Sequence, residues 1–542
     1  MKIILHLLLG LIISFTLTGC KKRKVFNHPD YEKTNMKHIG IGIERIELTD
    51  TATIADISLY NLPGYWVAMS SDMKLIGKIS NKEYALKFMD GMGPDLMIHV
   101  DSTGYISTKL FFEPIEEIDT IVDLIEDDYE VKNIKLYDYP ADKIKTNISG
   151  TLNEMGASWL VLMVEKGNLY TQNYVVPVRN GKFNYDLYTD EPLIVRVYIG
   201  KELLEGLVSA IAEFWSEGGN IILNYPYNDL ENYSMTAEGL LTQELNNIKE
   251  SEKLYTEELN ENFPALKRFH ELQTQKLFYK PEFYSLREEI KKSKVGWERL
   301  RALNNYYNYM QSEEYISEEG KKAIQDYEKI YEIYGDSIKQ LKKSFKHKQY
   351  SKPSLTNLYK IFIDIKHDDV IDQNIEWFNL FYADTFINHS YHKYIKELSD
   401  LVAPIPDNHF ININFSEING NRRVLSDIID NKISLLLIRD TFDREAINYI
   451  DSLKNIYTQN MNKDFEIVEI ILYEKGKHNS DKLGKYKAPW PILKDPEDSA
   501  GVRMKYRMGK EKMKTLLIDK EGIIKSVNPT PEEIISYLKN VK

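Results

Sequence analysis

A chain of 542 residues with 43% hydrophobic and 28% charged side chains has material for several cores, roughly three or four domains by length. Its formal net charge of -12 argues against a protein that grips nucleic acid through phosphate contacts, and 12% aromatic residues, 37 of the side chains being Tyr, argue against disorder. A single cysteine excludes intramolecular disulfides, a cysteine-based zinc cluster and any two-thiol redox cycle within one chain.

The N-terminus places Lys2 before a mostly apolar stretch from Ile3 to Leu17, which is short for a membrane span and suits the apolar part of a signal peptide. Leu17-Thr18-Gly19-Cys20 then resembles a bacterial lipobox. The resemblance implies a signal peptide over 1–19, cut before Cys20, with diacylglycerol on the Cys20 sulfur and acylation of the new amino group. The expected partner is therefore a membrane, held through a lipid anchor made stable by about 0.8 kcal/mol per buried CH₂. Residues 20–40 are expected to be a tether. Lys21-Lys22-Arg23-Lys24 follows the cysteine, to lie against headgroups or in water, and neither an Asp after Cys20 nor an acidic run is present. This pattern points to the outer membrane, on its periplasmic face.

From 41 to 140 the sequence reads as short strands with regular turns. Asp56 to Tyr60 alternates, Asn61-Leu62-Pro63-Gly64 is a turn, Tyr65 to Met69 is a strand, and Asp101 to Gly104 turns the chain before Tyr105 to Phe112. From 146 to 235 a second β segment holds Ile148-Ser149-Gly150-Thr151-Leu152, Trp159 to Val164, Asn180-Gly181 before an alternating strand, Glu191 to Val197, and Phe214 to Leu223. Both are expected to be β-sandwich-like. The first resembles the β-rich N-terminal module of certain Bacteroidetes thioredoxin-like lipoproteins at Ile46 to Thr53, Pro63 to Trp66 and Leu110 to Pro114. The second is similar, in its Ser-Gly-x-Leu, Asn-Gly-x-Phe, Pro-strand and Glu-Gly-x-Ile order, to the domain of unknown function that precedes their thioredoxin domain.

From 240 to 402 the apolar period becomes helical, as in Leu241, Leu245 and Ile248 and in the stripe Tyr327, Ile330, Tyr331, Tyr334. Pro264, Pro281 and Pro353 divide this region into separate helices. His389 and His392, with Asp384 nearby, have the spacing of two imidazoles on one helix face, but no third ligand is indicated, and surface or half-buried histidines are expected. Glu126-Asp127-Asp128 lacks the glycine and spacing of a calcium loop. No metal and no cofactor is expected. Ala403 to Asn408 reads as a linker.

From 410 to 542 the order is βαβ-like and then ββα. Ile433 to Ile438 suits a central parallel strand, Arg444 to Tyr457 a helix, and Phe465 to Leu472 the next strand. Thr515 to Asp519 and Gly522 to Lys525 form a hairpin, and Pro531 to Val541 a closing helix capped by Thr530. Asn419-Gly420 with Leu425 to Ile428, Leu435 to Ile438, and Leu517 to Ile524 resemble the thioredoxin-like domain of alkyl-hydroperoxide-reductase and thiol-disulfide-exchange lipoproteins. In redox-active members of that family a Cys-x-x-Cys turn follows the strand, the helix N-terminus lowering the first thiol's pKa. Here Arg439-Asp440-Thr441-Phe442-Asp443-Arg444-Glu445 follows instead, with no cysteine. Met513-Lys514-Thr515 replaces the family's cis-Pro segment, so a trans peptide is expected. Asp440, Thr441, Phe442, Asp443, Arg444 and Met513 thus mark the former active-site region, where the acidic side chains are read as helix caps.

The expected architecture is multidomain: two β-sandwich-like modules, an α-helical region, and a C-terminal α/β thioredoxin-like domain. The function expected is that of a redox-inactive envelope lipoprotein that binds or scaffolds an envelope protein or peptide. The alternatives are a thiol-disulfide oxidoreductase family member by ancestry, and a glycan- or peptide-binding module built on exposed Tyr and Trp.

Overall fold

The computed structural model describes residues 24–31, 33–36, 40–91, 93–101, 103–126, 129–137, 142–152, 159–167, 171–204, 210–225, 233–293, 296–312, 314–367, 371–416, 422–440, 444–460, 464–473, 488–496, 500–508 and 511–541. The chain falls into two compact units, 1–166 with 170–342, and 167–169 with 343–542.

The first unit opens with β1 (Lys24–Asn27), β2 (Lys33–Met36), β3 (Gly40–Leu48), β4 (Thr53–Tyr60), β5 (Trp66–Val67), β6 (Lys74–Gly77), β7 (Glu83–Asp90), β8 (Ile98–His99), β9 (Tyr105–Phe112), β10 (Ile121–Glu126) and β11 (Tyr129–Lys135). Nine of these make one sheet in the order β1-β3-β4-β9-β7-β6-β10-β11-β2, while β5 pairs with β8. Strands β1 and β2 sit at opposite edges yet are only six residue steps apart, a reach of about 20 Å. A flat sheet would separate those edges by about 38 Å, eight strand spacings. The sheet is therefore rolled onto itself, around Ile41, Ile57, Leu59, Tyr84, Leu110, Val122 and Val131. Much of the stretch expected to be tether is accordingly built into the fold, because residues 24–27 and 33–36 close the sheet's two free edges.

The second module contains β12 (Ile144–Leu152), β13 (Trp159–Glu165), β14 (Thr171–Pro177), β15 (Lys182–Thr189), β16 (Ile194–Ile199), α1 (Gly200–Leu204), β17 (Ala212–Trp215), β18 (Gly219–Tyr225) and β19 (Ser234–Ala237). Its sheets, β15-β12-β18-β19 and β14-β13-β16-β17, bury alternate residues such as Phe183, Tyr185 and Leu187. The two β modules pack together rather than standing apart. Tyr60 lies 5.1 Å from Trp159 in a small apolar cluster, Arg179 reaches Glu44 at 2.9 Å, and Tyr174 donates to Asp30 at 2.9 Å.

Helices follow: α2 (Leu240–Asn262), α3 (Pro264–Thr274), α4 (Pro281–Lys292), α5 (Gly296–Gln311), α6 (Glu318–Tyr350), α7 (Leu355–His367), α8 (Ile371–Phe381) and α9 (Ser390–Asp400). Pro264 and Pro281 start α3 and α4, where a missing N–H costs nothing. The tyrosine stripe of α6 packs on α3 and on Phe263, at the junction of α2 and α3, through Tyr327–Phe269 and Tyr334–Phe263 ring contacts, leaving Tyr331 and Tyr334 partly in water.

The C-terminal part of the second unit has β20 (Asn414–Ser416), β21 (Arg422–Val424), α10 (Leu425–Ile429), β22 (Ile433–Arg439), α11 (Arg444–Asn460), β23 (Phe465–Tyr473), β24 (Ile492–Pro496), α12 (Val502–Lys505), β25 (Met513–Ile518), β26 (Ile524–Val527) and α13 (Pro531–Asn540). The sheet order is β24-β23-β22-β25-β26, with β24, β23 and β22 parallel and β25 and β26 antiparallel. Strand β22 is buried throughout because both sheet faces are covered. Leu436 and Ile438 pack with Phe415, Leu425, Val502 and Tyr506 on one face; Leu435 and Leu437 pack with Ile450, Leu453 and Ile534 on the other. The expected linker is partly recruited: Asp407 donates to the Ile524 carbonyl, and the Ile524 N–H donates to the Asn408 carbonyl. Strand β24 and helix α12 were not foreseen from the sequence.

Thr530 caps α13 in a reciprocal box, accepting from the Glu533 N–H at 3.2 Å while Glu533 accepts from the Thr530 N–H at 2.8 Å. Thr530→Ala is expected to cost about 1 kcal/mol, read as faster hydrogen exchange in the first turn of α13. Unchanged protection there would contradict the cap.

Candidate functional site

In open α/β sheets, ligand and catalytic groups gather at the carboxyl ends of the parallel strands. Here that place is the end of β22. Alternation puts Arg439 on the same face as Leu435 and Leu437, and its side chain is fully buried. Its Nε donates to Glu469 Oε1 at 2.6 Å, and Nη2 lies 2.6 Å from the same oxygen. Glu469, equally buried, sits on β23 and accepts from the Trp490 indole N–H at 2.8 Å through its other oxygen. Trp490 meets Tyr457 edge-on at 5.6 Å. A fully buried charge needs an opposite charge beside it, since an isolated buried ion is very costly.

Asp440, the next residue, is paired with the Arg503 guanidinium, and its N–H donates to the Lys512 carbonyl at 3.0 Å. Arg503 also donates to the Glu511 carbonyl at 3.2 Å, so the segment before β25 is strapped to the end of β22. Met513 and Lys514 stand opposite Arg439 and Ile438 in regular antiparallel pairing, and no cis peptide occurs among the described residues. Lys514 Nζ donates to the Arg507 carbonyl at 3.1 Å, and burial pulls its pKa below the ordinary lysine range. Arg507 is ion-paired with Asp372 of α8, and burial lowers its pKa as well. The corner is a set of internally matched charges, capable of holding strands and loops in register.

Of the expected site residues, the structure places Asp440 and Met513 at this corner. Asp440 pairs with Arg503. Thr441, Phe442 and Asp443 lie outside the described residues, as do Cys20, Asn419-Gly420 and Asp127-Asp128, and Arg444 is described only as the first residue of α11. Sequence reasoning missed Arg439, Glu469 and Trp490 as a group. The signal available was Arg439 closing the apolar run of β22 and Glu469 in the middle of β23, flanked by Val468 and Ile470.

The two histidines are buried rather than at the surface. His389 precedes α9 and accepts from the Tyr391 N–H, and His392 lies tilted against Phe378 at 4.9 Å with Nε2 beside the Ala383 carbonyl. No cluster of three or more metal-ligating side chains occurs among the described residues. Trp159, Trp215, Trp377 and Trp490 are all buried, whereas Trp66 is 51% exposed, so a multi-tryptophan platform is not formed by these five. No helix among the described residues is long and apolar enough to cross a membrane.

No family model matches the sequence, and no curated protein matches it. Among solved structures, the chain is similar over 38% of its length to 78% of a thioredoxin-like protein from Bacteroides caccae, with 16% identity and a TM-score of 0.26. It is similar over 25% of its length to 95% of the thioredoxin domain of a thiol-disulfide oxidoreductase from Bacteroides vulgatus, with 16% identity and a TM-score of 0.22. A thiol:disulfide interchange protein from a Bacteroides species matches 26% of the chain over 90% of its own, with 15% identity and a TM-score of 0.22. Each likeness covers only part of the chain. The C-terminal topology, a parallel β22-α11-β23 crossover followed by the antiparallel β25-β26 hairpin and closing α13, is thioredoxin-like.

Proposed function

We propose that this chain is a lipid-anchored protein of the outer membrane, on its periplasmic face, whose thioredoxin-like domain binds or scaffolds an envelope protein or peptide without thiol chemistry. The observation that carries this reading is the corner at the end of β22, where Arg439, Glu469, Asp440 and Arg503 are matched to one another in place of a reactive pair. The sequence supports it independently: the only sulfhydryl is at position 20, inside the lipobox-like segment. Once that sulfur is a thioether, dithiol exchange has no group to run on.

The purified mature protein is expected to give no catalysed insulin reduction in the presence of dithiothreitol, matching a Cys20→Ala variant. Turnover above that variant would overturn the reading and favour a thiol-disulfide oxidoreductase instead.

A further inference from the structure

We propose that one end of the first β module is a membrane-facing surface, with its outward apolar side chains seated among lipid headgroups. This rests on lipid attachment at Cys20 as proposed above. Strand β1 begins at Lys24, so only residues 21–23 separate the attachment point from a hydrogen-bonded strand. Four residue steps reach at most about 14 Å. That span leaves no room for a folded partner between this end of the module and the bilayer.

The register shows which residues form that end. Lys24 pairs with Leu48, Leu48 with Thr53, and Thr53 with Phe112, so the end comprises the start of β1, the turn at 49–52 and the finish of β9. One pairing further in, a row crosses five strands: Val25, Glu47, Ile54, Phe111 and Phe88, of which Glu47 is buried and ion-paired with Arg45. Phe88 is 59% exposed and leans on Phe111 at 5.5 Å, and Val25 is 39% exposed. The following outward row is Asn27, Arg45, Asp56, Lys109 and Asp90, with alternating charge suited to water. This largely apolar row lies at the anchor-proximal end; Trp66, Leu96 and Met97, in the connections that leave β4 and β7 at the other end, are exposed too but lie beyond the anchor's reach.

The loops at the same end continue the pattern. Ile79, before β7, and Ile118, after β9, are 53% and 55% exposed, and Asp119 accepts from the Ile79 N–H at 3.1 Å. Their acidic neighbours Glu113 and Glu116 are matched by Lys87 and Lys82 at 2.7 Å each. Exposed apolar side chains amid paired charges, with Lys24 at the same end, suit the boundary between headgroups and acyl chains.

The test uses full-length protein in vesicles of phosphatidylethanolamine and phosphatidylglycerol, some lipids being brominated. With Cys20 acylated, an introduced cysteine is the only thiol available for a fluorophore. Thr51→Cys lies in the turn at the proposed membrane end. Thr103→Cys lies in the turn at the opposite end, about 23 Å away along β9. Quenching by brominated lipid is expected to be several-fold greater at position 51 than at 103, and reduced at 51 by adding Phe88→Ser. Mass analysis of the N-terminal peptide separates the outcomes. An acylated Cys20 with equal quenching at both positions overturns this proposal alone. An unmodified Cys20 overturns the anchoring reading and this one with it.

Discussion

Arg439→Met is expected to lower the stability of the C-terminal domain by about 3–5 kcal/mol, because it leaves the Glu469 carboxylate buried without its cation. Both side chains are fully buried, so no water can take the place of the lost partner. The Trp490 indole N–H still donates to the other carboxylate oxygen, but one hydrogen bond does not offset a desolvated charge. The double variant Arg439→Met with Glu469→Leu removes both charges and should recover about half of the loss. What remains is the indole N–H without an acceptor, about 1–3 kcal/mol. Hydrogen exchange along β22 and β23, or denaturant titration monitored at Trp490, measures both variants. A single variant costing less than about 1 kcal/mol would contradict a dry ion pair, because solvent-exposed pairs are the ones with small effects.

Gly150→Ala is the second large expected effect. Gly150 lies in the Ser-Gly-x-Leu segment of β12, between antiparallel β15 and parallel β18, with φ of 156°. A Cβ there would sit 1.7 Å from the Leu223 carbonyl oxygen, and backbone cannot swing aside as a side chain can. The β12–β18 pairing would have to open, at a cost of about 3 kcal/mol or more. Gly335 in α6 supplies the opposite case, since a Cβ there meets nothing closer than 4.0 Å. Gly335→Ala should raise stability by up to about 1 kcal/mol, from helix propensity and a less flexible unfolded chain. Thermal unfolding of the two variants should therefore shift in opposite directions. An upward shift for Gly150→Ala would show that chain entropy, not the Leu223 contact, governs position 150.

Local patterns carried the elements whose causes are local. The run Ile433 to Ile438 reads as a strand covered on both faces, and Thr530 with Pro531 reads as a helix start. The hairpin around Asp519 and Gly522 is legible because Gly522 supplies the φ of 83° that the turn requires. The absence of a second cysteine needs no structure at all, and it removes intrachain dithiol chemistry wherever the chain folds.

What depends on distant partners was not legible. Arg439 reads as the first residue of a turn; it is the last residue of a buried strand because Glu469, 30 positions away, and Trp490, 21 positions beyond Glu469, complete its pairing. Residues 24–36 read as tether because they lack a strong apolar period. They become edge strands because β3 and β11 offer unpaired backbone groups. Hydrophobic periodicity is a property of neighbours along the chain, whereas the partner of a buried charge or an open sheet edge is chosen across it. The sequence by itself determined strands with a strong local pattern such as β22, the Thr530 cap and the missing thiols; the tertiary structure decided the edge strands and which charges face each other at the end of β22.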